Sequence, residues 1–233
     1  MTAWNLAELR SLVEAKFGRQ QKEVLAPSLN SVLQRGAFAK YHYLEAKRLL
    51  DEATAAHTDP SAMMMLVLGA DDASEAFSEA RFQSQAHITA CVQSMHATAD
   101  ILAHTVYYAL GMNLDPATEL KLRNIDMVNV MKKVTVAPVL QALTSLTDHD
   151  GFRYISALNN HSKHRSIVEA SYSVDFTEAG MPNGLKFAGF EHGGQAYDAR
   201  WVKPTLDPEY ARQSSLIIDA GRALNTHLAS LPS

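Results

Sequence analysis

Apolar or small residues return at Phe77, Ala80, Ser84, Ile88, Cys91, Met95, Thr98, Leu102, Val106 and Ala109, in steps of three and four. That spacing keeps one stripe of a helix facing a neighbour and predicts a long helix with the stripe in the core. A second side carries Gln85, Thr89, Gln93, His96, Asp100, His104 and Tyr107. It is polar yet almost uncharged, because Asp100 is the lone formally charged residue between Phe82 and Leu114. Solvated helix faces usually mix Lys, Arg, Glu and Asp, and a buried polar group without a partner costs about 1–3 kcal/mol. The polar side is therefore expected to meet another polar surface. The helix is expected to be the buried centre of the molecule.

The flanking pattern predicts further helices. Thr2 can cap a first one with Leu6, Leu9, Val13 and Phe17 inward, after which Pro27 and Gly36 punctuate the chain. A second helix is expected over 37–56, with Phe38, Tyr41, Leu44, Ala46, Leu49 and Ala53 available to the core. Gly69-Ala70-Asp71-Asp72 either kinks the central helix or separates it from the apolar run Ser61–Leu68. Gly111 closes that helix and Asp115-Pro116 opens a segment running to Met131, while Pro138 begins a short helix that ends near Thr147–Gly151. From Phe152 another helix turns Tyr154, Ile155 and Leu158 inward.

After Arg165 the period changes from helical to alternating. A strand is expected over 167–176, a turn at Gly180–Gly184, alternation again at Leu185 and Phe187, a hairpin turn at His192–Gln195, and a strand over 196–202. Asp207-Pro208 should then open a last helix with Tyr210, Ile217, Ala220, Leu224 and Leu228 inward. The expected fold is mainly α: a helical bundle around a long central helix, with a small antiparallel β-sheet inserted before the C-terminal helix. Residues 1–233 read as a single helical domain, with 166–204 a small β insertion within it.

Composition narrows the chemistry. A chain of 233 residues, 47% hydrophobic, can bury a sizeable core without disulfides or a metal. Its single Cys91 lies on the apolar stripe, which excludes an intrachain disulfide and fits a reducing, cytoplasmic setting. The N-terminus has no basic region followed by an apolar core, and no run reaches the ~18 apolar residues of a membrane span, so neither secretion nor a membrane is expected. A formal charge of −4 predicts no global attraction to nucleic acid, so any such binding would need a local basic patch. Gly193-Gly194 is not followed by a helix or a Gly-Lys-Ser/Thr signature, and no cofactor is expected.

Two clusters carry candidate chemistry. His96, Asp100 and His104 are spaced i, i+4 and i+8, able to hold a metal or to hydrogen-bond in series; metal sites need three or four converging ligands, so a structural network is the plainer reading. The denser cluster is Asn159-Asn160-His161-Ser162-Lys163-His164-Arg165. Asn160 and His164 are one turn apart, Arg153 lies on the same side two turns earlier, and His161 is adjacent. A neutral imidazole beside amides and cations can move protons or hold a phosphate oxygen. The alternative is a polar helix C-terminus, where Lys, His and Arg favour the dipole.

The segment Asn159–His164 resembles the Arg-Asn-x-x-x-His motif of the HEPN superfamily, with Asn160 and His164 in place and Asp100 as the acidic partner on a preceding helix. Asn159 stands where that family has Arg. The resemblance implies a helical bundle that binds RNA and, in active members, cleaves it without a metal, the Arg and His promoting attack of the ribose 2′-hydroxyl where two protomers bring their motifs together. Here Lys163, Arg165 or Arg153 would have to supply the charge.

Three functions follow. The favoured one is a HEPN-like protein that binds, and in the stronger form cleaves, RNA or a nucleotide, with Asp100, Asn160 and His164 as catalytic candidates. Its ligand-binding candidates are Asn159, His161, Lys163, Arg165, Arg153, His96 and His104. The second is a homodimeric interaction protein without enzymatic activity. The third is a metal-dependent hydrolase using His96, Asp100 and His104.

Overall fold

Asn5 starts the first helix, α1 (Leu6–Phe17): its side-chain oxygen accepts the N–H of Glu8 at 3.1 Å, the role expected of Thr2, which lies outside the described residues. The structure is a computed structural model and describes residues 3–175 and 183–232. Gly18, at φ 87°, turns the chain into α2 (Arg19–Thr54). This helix runs for 36 residues straight through Pro27 and Gly36, where punctuation is expected from sequence. The reason lies in its buried stripe: Gln21, Leu25, Leu29, Val32, Ala39, Ala46 and Leu50 keep helical spacing across both positions. Tertiary burial of that face outweighs the local cost of a proline. The same stripe corrects the expected core, since Phe38, Tyr41 and Leu44 are exposed.

A short α3 (Pro60–Val67) capped by Asp59 leads to Gly69, at φ 76°, so the 69–72 stretch separates two helices. Ser74 receives the N–H of Asp71 at 3.2 Å and donates to the Leu66 carbonyl at 3.1 Å, and α4 (Ser74–Ala109) begins there. Every residue of the apolar stripe from Phe77 to Ala109 is buried. Gly111, at φ 65°, ends the helix; a side chain there would come within 2.9 Å of the Phe17 ring. After two 3₁₀ turns, Met112–Leu114 and Leu122–Asn124, come α5 (Met127–Met131), α6 (Ala137–Thr147) and α7 (Asp150–His164).

The β region follows α7. β1 (Ala170–Val174) pairs antiparallel with β2 (Asn183–Phe187), which pairs with β5 (Arg200–Trp201). β3 (Phe190–His192) and β4 (Gln195–Tyr197) form a separate hairpin. Gly193 and Gly194 both take positive φ, as a two-residue hairpin turn of this hand requires. The single strand expected over 196–202 is thus divided between two sheets. Phe176 and Gly180–Pro182 lie outside the described residues. The last helix, α8 (Val202–Ser230), begins before Asp207 and carries Pro208 inside it, held by the buried stripe Val202, Leu206, Glu209, Gln213, Ala220, Leu224 and Leu228.

The chain is therefore mainly α, a helical bundle with a small antiparallel sheet ahead of its C-terminal helix. Its residues form two compact units. The first comprises Met1–Gly36, Met95–Arg153 and Pro208–Ser233; the second comprises Ala37–Ser94 and Tyr154–Asp207. The first has a core of Leu9, Val13, Leu25, Leu102, Val106, Leu143 and Leu224. There Trp4 lies so close to Gly221 that a Cβ at that glycine would sit 2.1 Å from the indole. In the second, Leu50, Phe77, Ile88, Tyr154, Tyr172, Leu185 and Phe187 are buried. Among the described residues no helix is long and apolar enough to cross a membrane.

Candidate functional site

Helix α7 carries an acidic residue in its first turn and His161, Lys163 and His164 in its last, the arrangement that its dipole favours. Its start holds Arg153, exposed, with one guanidinium nitrogen on Asp148 and another 2.7 Å from Asp150. These carboxylate bonds, Asp150 first, raise the Arg153 pKa and commit its charge locally. Arg153 belongs to the first unit and Asn159–Arg165 to the second.

At the other end of α7 the side chains meet the β3–β4 hairpin. The His161 Nδ1 lies 2.9 Å from the Ser166 carbonyl oxygen, so an Nδ1–H donor there leaves Nε2 free to accept. Its ring stands edge-on to Phe190, centroids 5.5 Å apart. Phe190 in turn stacks on Tyr197 at 4.8 Å and 10°. Arg165 reaches the Glu191 carbonyl with a long contact of 3.5 Å. Lys163, His164 and Arg165 are exposed, Asn160 is half-buried and Asn159 is buried. The terminus thus presents cations and an imidazole beside a stacked aromatic pair.

Beneath it sits Tyr154, one face of whose ring carries the Arg200 guanidinium at 4.3 Å from the centroid. Phe190 and Tyr197 pack around the same ring at 5.7 and 5.9 Å. The Tyr154 hydroxyl is buried and has no hydrogen-bond partner among the described residues. Burial pushes its pKa up to about 12, with Arg200 opposing, so the phenol is neutral at physiological pH.

The α4 candidates fall in the first unit. Asp100 is not the buried carboxylate that its isolation along the helix predicts: its side chain is 56% exposed, with His96 Nδ1 at 3.6 Å. A single charge on an otherwise uncharged face can be hydrated without the face being solvated throughout. His96 stacks on Phe152 at 6.2 Å and 15°. The His104 pKa is lowered, chiefly by burial, against the pull of Asp100 and of the hydrogen bond it donates to the Ile125 backbone carbonyl. Among the described residues no three His, Cys, Asp or Glu side chains are grouped so as to hold a metal ion, His96, Asp100 and His104 included.

Sequence reasoning missed the partners of α7. Phe190, Tyr197 and Arg200 come from short strands with no strong periodicity; the one available signal was the recurrence of aromatic residues from Phe187 to Trp201. No family model, curated protein or solved structure matches the chain.

Proposed function

We propose that this is a HEPN-like helical protein that binds single-stranded RNA or a nucleotide at the C-terminal end of α7. The carrying observation is the exposed run Lys163, His164 and Arg165 at a helix end whose His161 stands edge-on to Phe190, itself stacked on Tyr197, and whose Arg165 reaches the Glu191 carbonyl. Cations neutralise phosphates, and aromatic rings supply faces on which unstacked bases rest, each worth about 1–3 kcal/mol. The resemblance of Asn159–His164 to the HEPN motif supports the same reading, with Asn160 and His164 in the family's positions. In a cleaving form, His164 would move the proton of the 2′-hydroxyl and Lys163 or Arg165 would balance the charge gathering on phosphorus. The buried Asn159 occupies the place of the family's Arg, so binding is the core of the proposal and cleavage its stronger form. The reading includes a homodimer, as the resemblance implies, and light scattering of the full chain measures it.

The test is a titration of labelled single-stranded RNA and matching DNA into the full chain, with and without a chelator. Saturable RNA binding is expected, weakening with salt and falling about tenfold or more in the Lys163→Ala, Arg165→Ala double variant. Absence of binding, or binding indifferent to that variant, overturns the proposal. Chelator-resistant cleavage that disappears in His164→Ala extends it to a ribonuclease, whereas chelator-sensitive cleavage contradicts the metal-free form.

A further inference from the structure

The second unit also contains a cavity of about 560 Å³, walled by α2, the β1–β2–β5 sheet and the first turn of α8. Its size falls within the range of small-molecule sites. Its walls mix apolar side chains, Leu50, Ile88, Leu185 and Val202 among them, with polar ones such as Asp51, Thr54 and Asn183. Protein interiors close such spaces when nothing occupies them, because lining atoms that face a void forfeit their dispersion contacts. The apolar part of this wall, which no side chain covers among the described residues, suits an occupant with an apolar body.

The charged groups at the rim specify the other end of that occupant. Lys47 and Asp51, one turn apart on α2, pair with each other. Lys203, exposed at the start of α8, has no ion pair among the described residues. Lys47 and Lys203 against Asp51 leave one surplus positive charge on the lining. The polar hydroxyls are already committed to protein partners. Tyr172 donates to Asn183 Oδ1 at 2.9 Å. The Tyr43 phenol bonds Asp207 and is held protonated, by burial first and then by that carboxylate. The charged group left to recognise a ligand head is thus a lysine ammonium, which attracts an anion as a point charge.

We propose that this cavity binds an organic monoanion, a carboxylate with an apolar body, its head at Lys203 and its body against Leu50, Ile88 and Leu185. The site is separate in residues and chemistry from the end of α7, and its occupancy does not depend on RNA binding.

Calorimetric titration of the full chain with dodecanoate, below its micelle concentration, tests the assignment against dodecyltrimethylammonium, which has the same tail and the opposite charge. Saturable dodecanoate binding is expected, about tenfold or more tighter than the cation, and weakened to a similar extent by Lys203→Glu at an exposed position where folding is not at stake. Thr54→Trp, placed on the lining at the end of α2, should abolish binding while circular dichroism shows the helices intact. No saturable dodecanoate binding, equal affinity for the two head groups, or undiminished binding in a folded Thr54→Trp protein would each overturn the proposal.

Discussion

Glu209 in the first unit and Tyr154 in the second are both almost wholly buried, at 3% and 1% exposure, and their polar atoms fare in opposite ways. Glu209 accepts from Arg212 at 2.8 and 2.6 Å and from Gln213 at 2.8 Å, with His149 at 3.4 Å. Arg212 in turn donates to the carbonyls of Ser145 and Leu146, the last turn of α6, so one carboxylate ties two helices together. Gly151 leaves room for it; a Cβ there would lie 2.3 Å from the Glu209 oxygen. Similarly, Asn225 donates to the Asn5 carbonyl and to Glu8 and accepts from Trp4. By contrast, the buried polar atoms without partners, His57 Nδ1, Arg81 Nε, Tyr154 OH and His192 Nδ1, all belong to the second unit among the described residues. The cavity is there as well. Such groups are rare in native interiors and collect where structure serves something other than its own stability. The first unit is built to be held; the second carries unspent binding capacity.

The sharpest way to break this comparison is a pair of truncations. Glu209→Ala strands the Arg212 guanidinium and uncaps α6, and should cost about 3–5 kcal/mol in urea unfolding. Tyr154→Phe removes a hydroxyl that has no partner among the described residues and should be neutral or slightly stabilising, within about 1 kcal/mol. Equal losses from the two would show that Tyr154 has a partner after all, and the contrast between the units would go with it.

The same contrast explains what could be read from sequence. The stripe from Phe77 to Ala109 was legible because a helical period sustained over nine turns has no competing interpretation, and all of it is buried. α2 was not, because Pro27 and Gly36 are local signals, whereas the Gln21–Leu50 stripe that overrides them acts through packing. The start of α8 was missed for a related reason: Trp201-Val202 looks like strand, and Val202 is buried as the first residue of a helix. The cluster at the end of α7 was visible as a run of polar residues. Its aromatic neighbours and the cavity depend on long-range pairing, such as Lys186 opposite Trp201, which no local pattern carries.

Titration offers a milder test, again in the second unit. His42 on α2 and His87 on α4 approach Nδ1 to Nδ1 at 2.9 Å, with Tyr41 edge-on to both rings. Glu45, held low by Arg48, is the acidic group that senses His87. The His42 pKa is lowered, by burial first and by His87 second. A histidine depressed in the folded state is protonated first in the unfolded chain. Its contribution is therefore intact above the ordinary pKa of about 6.5 and is lost as pH falls below it. The melting temperature should drop between pH 7 and pH 5, and His42→Gln should flatten part of that drop. His104, lowered by burial in the first unit, has the same sign, so a variant at both positions should flatten it further. An unchanged slope in the double variant would mean that neither imidazole is protonated at the expense of the fold.

The smallest expected effect concerns α2 at Gly36, the last residue of the first unit along that helix. Among the described residues nothing lies within 4 Å of a Cβ built there, and its φ is not in the left-handed region. Its carbonyl accepts from Tyr210 at 3.2 Å, a bond that an alanine would keep. Glycine in a helix interior costs roughly 0.5–1 kcal/mol relative to alanine through backbone entropy, so Gly36→Ala should stabilise the chain by about that amount, read as a higher melting temperature. Because the space is open, a loss of stability cannot be blamed on a clash. It would mean that alanine disturbs the local backbone at Gly36, and the buried stripe would then not be enough to explain why the helix continues through that glycine.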